Sequence, residues 1–123
     1  MKKFARFNML GDVFWALLEG NNAFRVIGSI YNQTLKIDQK AIDINELKIL
    51  APFEGKKVIG LGYNYKGLVG KKSNYDEPLI FFKSPESVVA HHEDIIYPEY
   101  CNKIWIESEL TIVISKKGKN IPL

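Results

Sequence analysis

The chain has 123 residues, of which 46% are hydrophobic and 25% are charged, and its formal net charge is +3. This length suffices for one folded unit with its own core, and the composition excludes a disordered or fibrous protein. Because no apolar stretch is long enough to span a bilayer and the start of the chain has no signal-peptide core, we expect no membrane association and a cytoplasmic location.

The basic residues are scattered along the chain. Short basic groups occur at Lys56-Lys57, Lys71-Lys72 and Lys116-Lys117-Gly118-Lys119. Nucleic-acid binding needs many clustered phosphate contacts, so this distribution argues against a nucleic-acid partner. Cys101 is the only cysteine, which excludes an internal disulfide, and we interpret it as a buried apolar residue without a chemical role.

The first half of the chain predicts a small β-meander. Strands separated by glycine- and asparagine-containing turns are predicted at Lys3–Phe7, Val13–Leu18 and Phe24–Ile27. Residues 37–50 predict a short helical turn and then a strand at Leu47–Leu50, before Pro52. The sequence changes character there, which predicts a small N-terminal β-domain over residues 1–52 and a second unit over residues 53–123.

The second half predicts longer apolar strands. They are expected at Lys57–Gly62, which we predict to be buried, at Leu79–Lys83 and at Trp105–Ser115. Gly60 and Gly62 resemble the start of a dinucleotide-binding fingerprint, but its third glycine would fall at Tyr65, so the fingerprint fails. We instead expect these glycines to allow close approach of a ligand or of a neighbouring strand.

Two further polar features have open interpretations. His91-His92-Glu93-Asp94 contains metal-ligand types, but adjacent residues of an extended chain point in opposite directions, which favours an exposed turn. Lys83 ends a strongly apolar strand. Its ammonium group either reaches solvent or faces an anionic ligand at the end of that strand.

Glu107 and Glu109 are two carboxylates inside an apolar run. In a strand they would point to the same face, about 7 Å apart, where a hard cation such as magnesium or manganese would relieve their repulsion. The alternative is a strand with two different faces. The two glutamates lie on its solvent-exposed face, and the apolar residues of its other face, which point to the core, are Ile106, Leu110, Ile112 and Ile114. The spacing alone favours this second interpretation.

Three segments in order resemble the fumarylacetoacetate hydrolase superfamily. They are Ile59–Tyr65, Glu77–Pro85 and Glu107–Leu110. The stretches Ala5-Arg6-Phe7 and Leu50-Ala51-Pro52 are similar to the small N-terminal domain of many members. The resemblance implies a mainly β (α+β) fold, with a small N-terminal β-domain followed by the first part of a mixed β-roll.

The resemblance also implies a chemistry. Members act on keto acids or dicarbonyl acids by carbon-carbon bond hydrolysis, decarboxylation or isomerisation, with a Mg²⁺ or Mn²⁺ ion that stabilises an enolate. By position, Glu107 and Glu109 match two metal ligands. Lys83 matches the catalytic lysine in the substrate pocket, where it would steer a carboxylate.

Two departures from the family pattern affect these expectations. The histidine and glutamate that commonly activate water or transfer the proton are replaced by Leu68 and Lys71; because hydrolysis needs an activated water, this favours enolate chemistry over hydrolysis. The third metal ligand of the family, an aspartate, would lie beyond Leu123, so we expect weak or absent metal binding by this chain alone. We expect a homo-oligomer or pairing with a complementing C-terminal fragment; the alternative function is an inactive remnant or an interaction module that pairs with a second chain.

Overall fold

The computed structural model describes residues 1–31, 34–55, 57–65, 67 and 77–122. The described residues form strands and short turns. The strands are β1 (Lys3–Met9), β2 (Asp12–Glu19), β3 (Asn22–Ile27), β4 (Lys36–Asp43), β5 (Lys48–Leu50), β6 (Val58–Gly62) and β7 (Leu79–Lys83). Two 3₁₀ turns lie at Ile44–Glu46 and Pro85–Ser87. This mainly β content confirms the predicted fold class. The described residues include no helix long and apolar enough to cross a membrane.

The N-terminal half forms a five-stranded antiparallel sheet in the order β4-β3-β2-β1-β5. Consecutive hairpins join the first four strands, and β5 returns to pair with β1. The buried core of the sheet consists of Ala5, Phe7, Phe14, Ala16 and Ala23. The Phe7 and Phe14 rings face each other across the β1–β2 ladder with their centroids 6.3 Å apart. Small residues beside these rings allow partly buried aliphatic side chains to close the core.

The predicted strands at Lys3–Phe7, Val13–Leu18 and Phe24–Ile27 are confirmed as β1 to β3, each slightly longer than expected. The predicted helical turn is the 3₁₀ turn at Ile44–Glu46, and the strand predicted at Leu47–Leu50 is β5. In this turn the Asp43 carboxylate accepts a hydrogen bond of 2.9 Å from the Asn45 N–H. Such a side-chain cap is the usual signal for the start of a helical turn.

The sequence interpretation missed β4. The β3–β4 ladder is irregular, because Phe24 pairs with Ala41 whereas Val26 pairs with Ile37. Three residues of β4 therefore face one residue of β3, and within this bulge the Asp38 carboxylate accepts a hydrogen bond from the Lys40 N–H. The bulge interrupts the alternation by which a strand is recognised in a sequence.

Strands β6 and β7 form a separate two-stranded antiparallel sheet. Val58 pairs with Lys83 at one end of this sheet, and Gly62 pairs with Leu79 at the other. Both strands lie where they were predicted, but the expectation of a buried strand at Lys57–Gly62 was wrong. Residues of β6 alternate between half-buried and exposed, and all five residues of β7 are exposed, because no second layer of described residues packs on this sheet.

The strand predicted at Trp105–Ser115 is also absent: the described chain has neither a turn nor a bend there and makes no ladder. Its apolar side chains are exposed, with 88% of Ile106 and 83% of Leu110 accessible to solvent. The pattern of alternating residues is present, but a strand forms only when a neighbouring backbone accepts and donates its hydrogen bonds. No described residue provides such a neighbour.

The two halves of the chain meet through ion pairs. Arg6 Nε on β1 lies 2.6 Å from Glu54 Oε1 in the segment that leads to β6. Lys48 Nζ on β5 lies 4.0 Å from Glu93 Oε1, and the Glu93 carboxylate also accepts a hydrogen bond of 2.7 Å from the buried Ala90 N–H. The boundary between residues 1–52 and 53–123 remains a prediction.

Candidate functional site

The carboxyl end of β6 is the first part of the candidate site. A Cβ atom at Gly60 would overlap with the Phe81 ring of β7, and one at Gly62 would come within 2.8 Å of Leu79. These two glycines therefore permit close approach of the neighbouring strand, which is one of the two uses predicted for them. Gly60 allows the Phe81 ring to lie across the β6 backbone.

The chain leaves β6 through a residue with an uncommon backbone conformation. Tyr63 has φ of +54°, in the left-handed region that residues with a Cβ rarely adopt. Two residues later, the Tyr65 hydroxyl accepts a hydrogen bond of 2.9 Å from the Leu110 N–H. This contact spans 45 residues of sequence and brings the end of β6 next to the segment that carries both glutamates.

We refer to residues 103–115 as the Glu-x-Glu segment. Both Glu107 and Glu109 are exposed, and neither carboxylate forms an ion pair or hydrogen bond with another described residue. In an extended backbone, two side chains at this spacing lie on one side of the chain. The two carboxylates are therefore available to an external ligand.

The donor chemistry of Glu107 and Glu109 suits a hard divalent cation, because carboxylate oxygens are its preferred ligands. The number of donors does not suffice. Within the ranges that the structure describes, no group of three or more histidine, cysteine or acidic residues could hold a metal ion. The described residues thus provide part of a metal site at most.

Lys83 lies at the other end of the β6–β7 sheet. It is paired with Val58, and it lies four positions along β7 from Leu79, a distance of about 13 Å. Its side chain is exposed and forms no ion pair with Glu107 or Glu109 in the described part of the chain. Within the described residues, no ion pair therefore joins Lys83 to the two predicted metal ligands.

Lys83 borders an open cleft with a volume of about 470 Å³. The cleft is lined by Val58, Lys83, Glu86, Ser87, Val88, Val89, Asp94, Ile95 and Ile96. Its wall is mostly apolar, with one cation and two carboxylates. The Ser84 hydroxyl donates a hydrogen bond to the Glu86 carboxylate, and this bond together with one from the Glu86 backbone lowers the pKa of Glu86. At neutral pH Glu86 is thus a carboxylate on the same wall as the Lys83 ammonium.

The other polar features have the following positions. His91 and His92 form an exposed turn, as predicted, with their ring centroids 3.8 Å apart and their ring planes tilted by 49°. Cys101 is half-buried, whereas the sequence analysis expected it to be buried. Leu68 and Lys71, which replace the proton-transfer pair of the family, lie outside the described residues.

Sequence reasoning missed Tyr65 and Glu86 as members of these two regions. Tyr65 is separated by 45 residues from its hydrogen-bond partner, and no local pattern predicts that contact. Glu86 could have been found, because Ser84-Pro85-Glu86 is a common beginning of a short helical turn, with proline at its first position.

Comparison with known proteins identifies the second half of the chain. Residues 57–123 match the family described as Fumarylacetoacetate (FAA) hydrolase C-terminal. This match contains β6, β7 and the Glu-x-Glu segment.

Similar curated proteins include a fumarylacetoacetate hydrolase domain-containing protein 2 homolog of Dictyostelium discoideum, 33% identical over 75% of this chain and 31% of that protein. A mitochondrial oxaloacetate tautomerase of Homo sapiens is 32% identical over 76% of this chain and 31% of its own length. The chain therefore spans about a third of the length of these two relatives.

The solved structure of a 2-hydroxyhepta-2,4-diene-1,7-dioate isomerase from Mycobacterium marinum has the same fold over 72% of this chain and 34% of that protein, with a TM-score of 0.58 and 21% identity. The family match extends across the motifs described above. The chain belongs to the fumarylacetoacetate hydrolase family.

Proposed function

We propose that this chain carries part of an active site that isomerises or decarboxylates a small keto acid or dicarbonyl acid with the help of Mg²⁺ or Mn²⁺. In this proposal Glu107 and Glu109 are two ligands of the ion, and the remaining ligands come from outside the described residues. The observation that carries the proposal is the exposed pair of carboxylates, two residues apart inside the matched family region, which has no ion pair or hydrogen bond with another described residue.

The relatives support isomerisation in particular. One is named as an oxaloacetate tautomerase and one structural neighbour as a dioate isomerase, and both names describe the movement of a double bond in an acid with several oxygen atoms. Keto-enol isomerisation needs proton transfer at carbon and no activated water. Unlike hydrolysis, it therefore needs only the proton-transfer function of the pair replaced by Leu68 and Lys71, and not the activation of water by that pair.

The roles of the chain's own residues follow from their charges. The bound ion would polarise the keto oxygen of the substrate. Glu107 and Glu109 would hold and orient the ion, and the Lys83 ammonium would bind a substrate carboxylate. In this proposal a second copy or a complementing fragment completes the substrate pocket, since no ion pair joins Lys83 to either glutamate within the described residues.

A titration with Mn²⁺, followed by the electron paramagnetic resonance signal of the free ion, tests the metal site. We expect weak binding that Glu107→Gln and Glu109→Gln each reduce about tenfold or more, because each removes one anionic ligand. Glu99→Gln is the matched control, since Glu99 is exposed and lies outside the Glu-x-Glu segment. Equal affinity in the wild-type chain and all three variants contradicts the proposal. The corresponding activity assay follows the loss of the enol absorbance of oxaloacetate.

A second candidate function is an interaction module that pairs with another chain. The exposed apolar side chains of the Glu-x-Glu segment favour it, because an extended apolar segment can add a strand to a partner's sheet. The two candidates differ in metal dependence: an interaction module keeps its association when Glu107 and Glu109 are replaced by glutamine.

A further inference from the structure

The Glu-x-Glu segment has very few restraints in the described structure. It belongs to no ladder, and its large apolar side chains are exposed. In the described part of the chain, one hydrogen bond joins it to another element, from the Leu110 N–H to the Tyr65 hydroxyl. The Lys103 ammonium over the Trp105 ring is a contact within the segment and does not attach it to the sheet.

The position of this hydrogen bond matters more than its strength. Leu110 directly follows Glu109 and is three residues after Glu107, so a restraint on its N–H fixes the backbone beside both carboxylates. At the other end, Tyr65 is three residues beyond the last residue of β6, whose ladder with β7 is regular. The hydrogen bond to the Tyr65 hydroxyl therefore restrains the backbone beside the two glutamates relative to the β6–β7 sheet.

We propose that Tyr65 is a positioning residue, whose hydroxyl holds the Glu107 and Glu109 backbone at the carboxyl end of β6. Tyr65 touches neither carboxylate and acts through the Leu110 amide. Its effect on metal binding rests on the proposed function. A divalent ion binds both carboxylates at the same time. An unrestrained segment would therefore lose conformational freedom when the ion binds, which lowers the affinity.

The contact itself is tested without metal, by nuclear magnetic resonance of the Leu110 amide. Tyr65→Phe removes only the hydroxyl, so we expect faster solvent exchange of this amide and an upfield shift of its proton. Tyr100→Phe is the matched control, because Tyr100 is exposed and lies outside both β6 and the Glu-x-Glu segment. An unchanged Leu110 amide in Tyr65→Phe, or the same change in Tyr100→Phe, overturns the proposal.

The positioning role is tested by Mn²⁺ affinity together with the melting temperature. We expect Tyr65→Phe to weaken Mn²⁺ binding about three- to tenfold, the range of one net hydrogen bond, and to lower the melting temperature by at most a few degrees, because the same single bond is lost from the metal-free chain. Weaker binding in Glu107→Gln but not in Tyr65→Phe overturns the positioning role and leaves the proposed function intact. If Glu107→Gln also has no effect, the proposed metal site fails, and the Leu110 amide still decides whether Tyr65 holds the segment.

Discussion

Leu10 shows how a single residue can conflict with its own backbone. It occupies the two-residue turn between β1 and β2, with φ of +53°, and Gly11 follows with φ of +93°. Two positive φ values define the hairpin turn that favours Asn-Gly. Glycine suits its position, whereas leucine is fully exposed and has no packing to compensate for its conformation.

Leu10→Asn is therefore expected to stabilise the protein by about 1 kcal/mol, because asparagine tolerates the left-handed region better than leucine. The free energy of unfolding is measured by urea titration followed by circular dichroism. Leu10→Ala is the control: it removes the same exposed apolar side chain but keeps the unfavourable conformation. Equal stabilisation by asparagine and alanine would show that solubility of the side chain, not the backbone, is responsible.

At the scale of elements, the β6–β7 sheet has close contacts at two glycines, and the contact between Gly60 and Phe81 is the closer of the two. The Phe81 ring lies over Gly60, its partner in the ladder, and this is a common way to cover a glycine in an exposed strand. A methyl group at Gly60 would displace the ring. Because 43% of Phe81 is exposed, the ring can move outward, and the cost is set by the contacts that it loses.

Gly60→Ala is expected to lower the free energy of unfolding by about 1 kcal/mol, at the lower end of the usual cost of overpacking. In the Phe81→Ala background the same substitution should cost less than about 0.5 kcal/mol, because the ring is gone. Gly67→Ala is the matched control, since a Cβ there meets no atom within 4 Å. A cost at Gly60 that persists without Phe81 would contradict this explanation.

The elements also show which structures a sequence can predict. Strands β1, β2 and β3 were predicted because local alternation is joined by recognisable turns. β4 was missed because the bulge at Asp38–Lys40 interrupts the alternation. The segment Trp105–Ser115 was predicted as a strand because its alternation is regular. It forms no strand, because no described backbone segment provides the hydrogen bonds of a ladder.

At the scale of the whole molecule, residue types were easier to predict than their arrangement. Glu107, Glu109 and Lys83 could be singled out because each is a charged residue within or at the end of an apolar run. Their distances could not be predicted, because they depend on contacts between distant segments. The Tyr65–Leu110 hydrogen bond is such a contact, and so is the ion pair between Arg6 and Glu54.

At this scale, the Glu-x-Glu segment also gives the molecule an exposed apolar face, and contact of apolar side chains with water is unfavourable. Alternate residues of the Glu-x-Glu segment contribute to it, and 77% of Ile112 and 80% of Ile114 are accessible. Burial of one such side chain contributes about 1.5–3 kcal/mol. Association through this face would therefore be stabilised by several side chains at once, and backbone N–H and C=O groups that make no ladder bond with the described residues could pair with a second chain.

We accordingly expect the chain to self-associate with increasing concentration in sedimentation velocity experiments. Ile112→Lys should weaken this association about tenfold or more, because it removes one buried isoleucine and introduces a charge that must be desolvated. Thr111→Lys adds the same charge at the neighbouring position, which an extended chain directs to the opposite side, and should have a smaller effect. An equal effect of both lysines would indicate net charge as the cause, and a wild-type chain that sediments as a monomer throughout the concentration series would exclude association through this face.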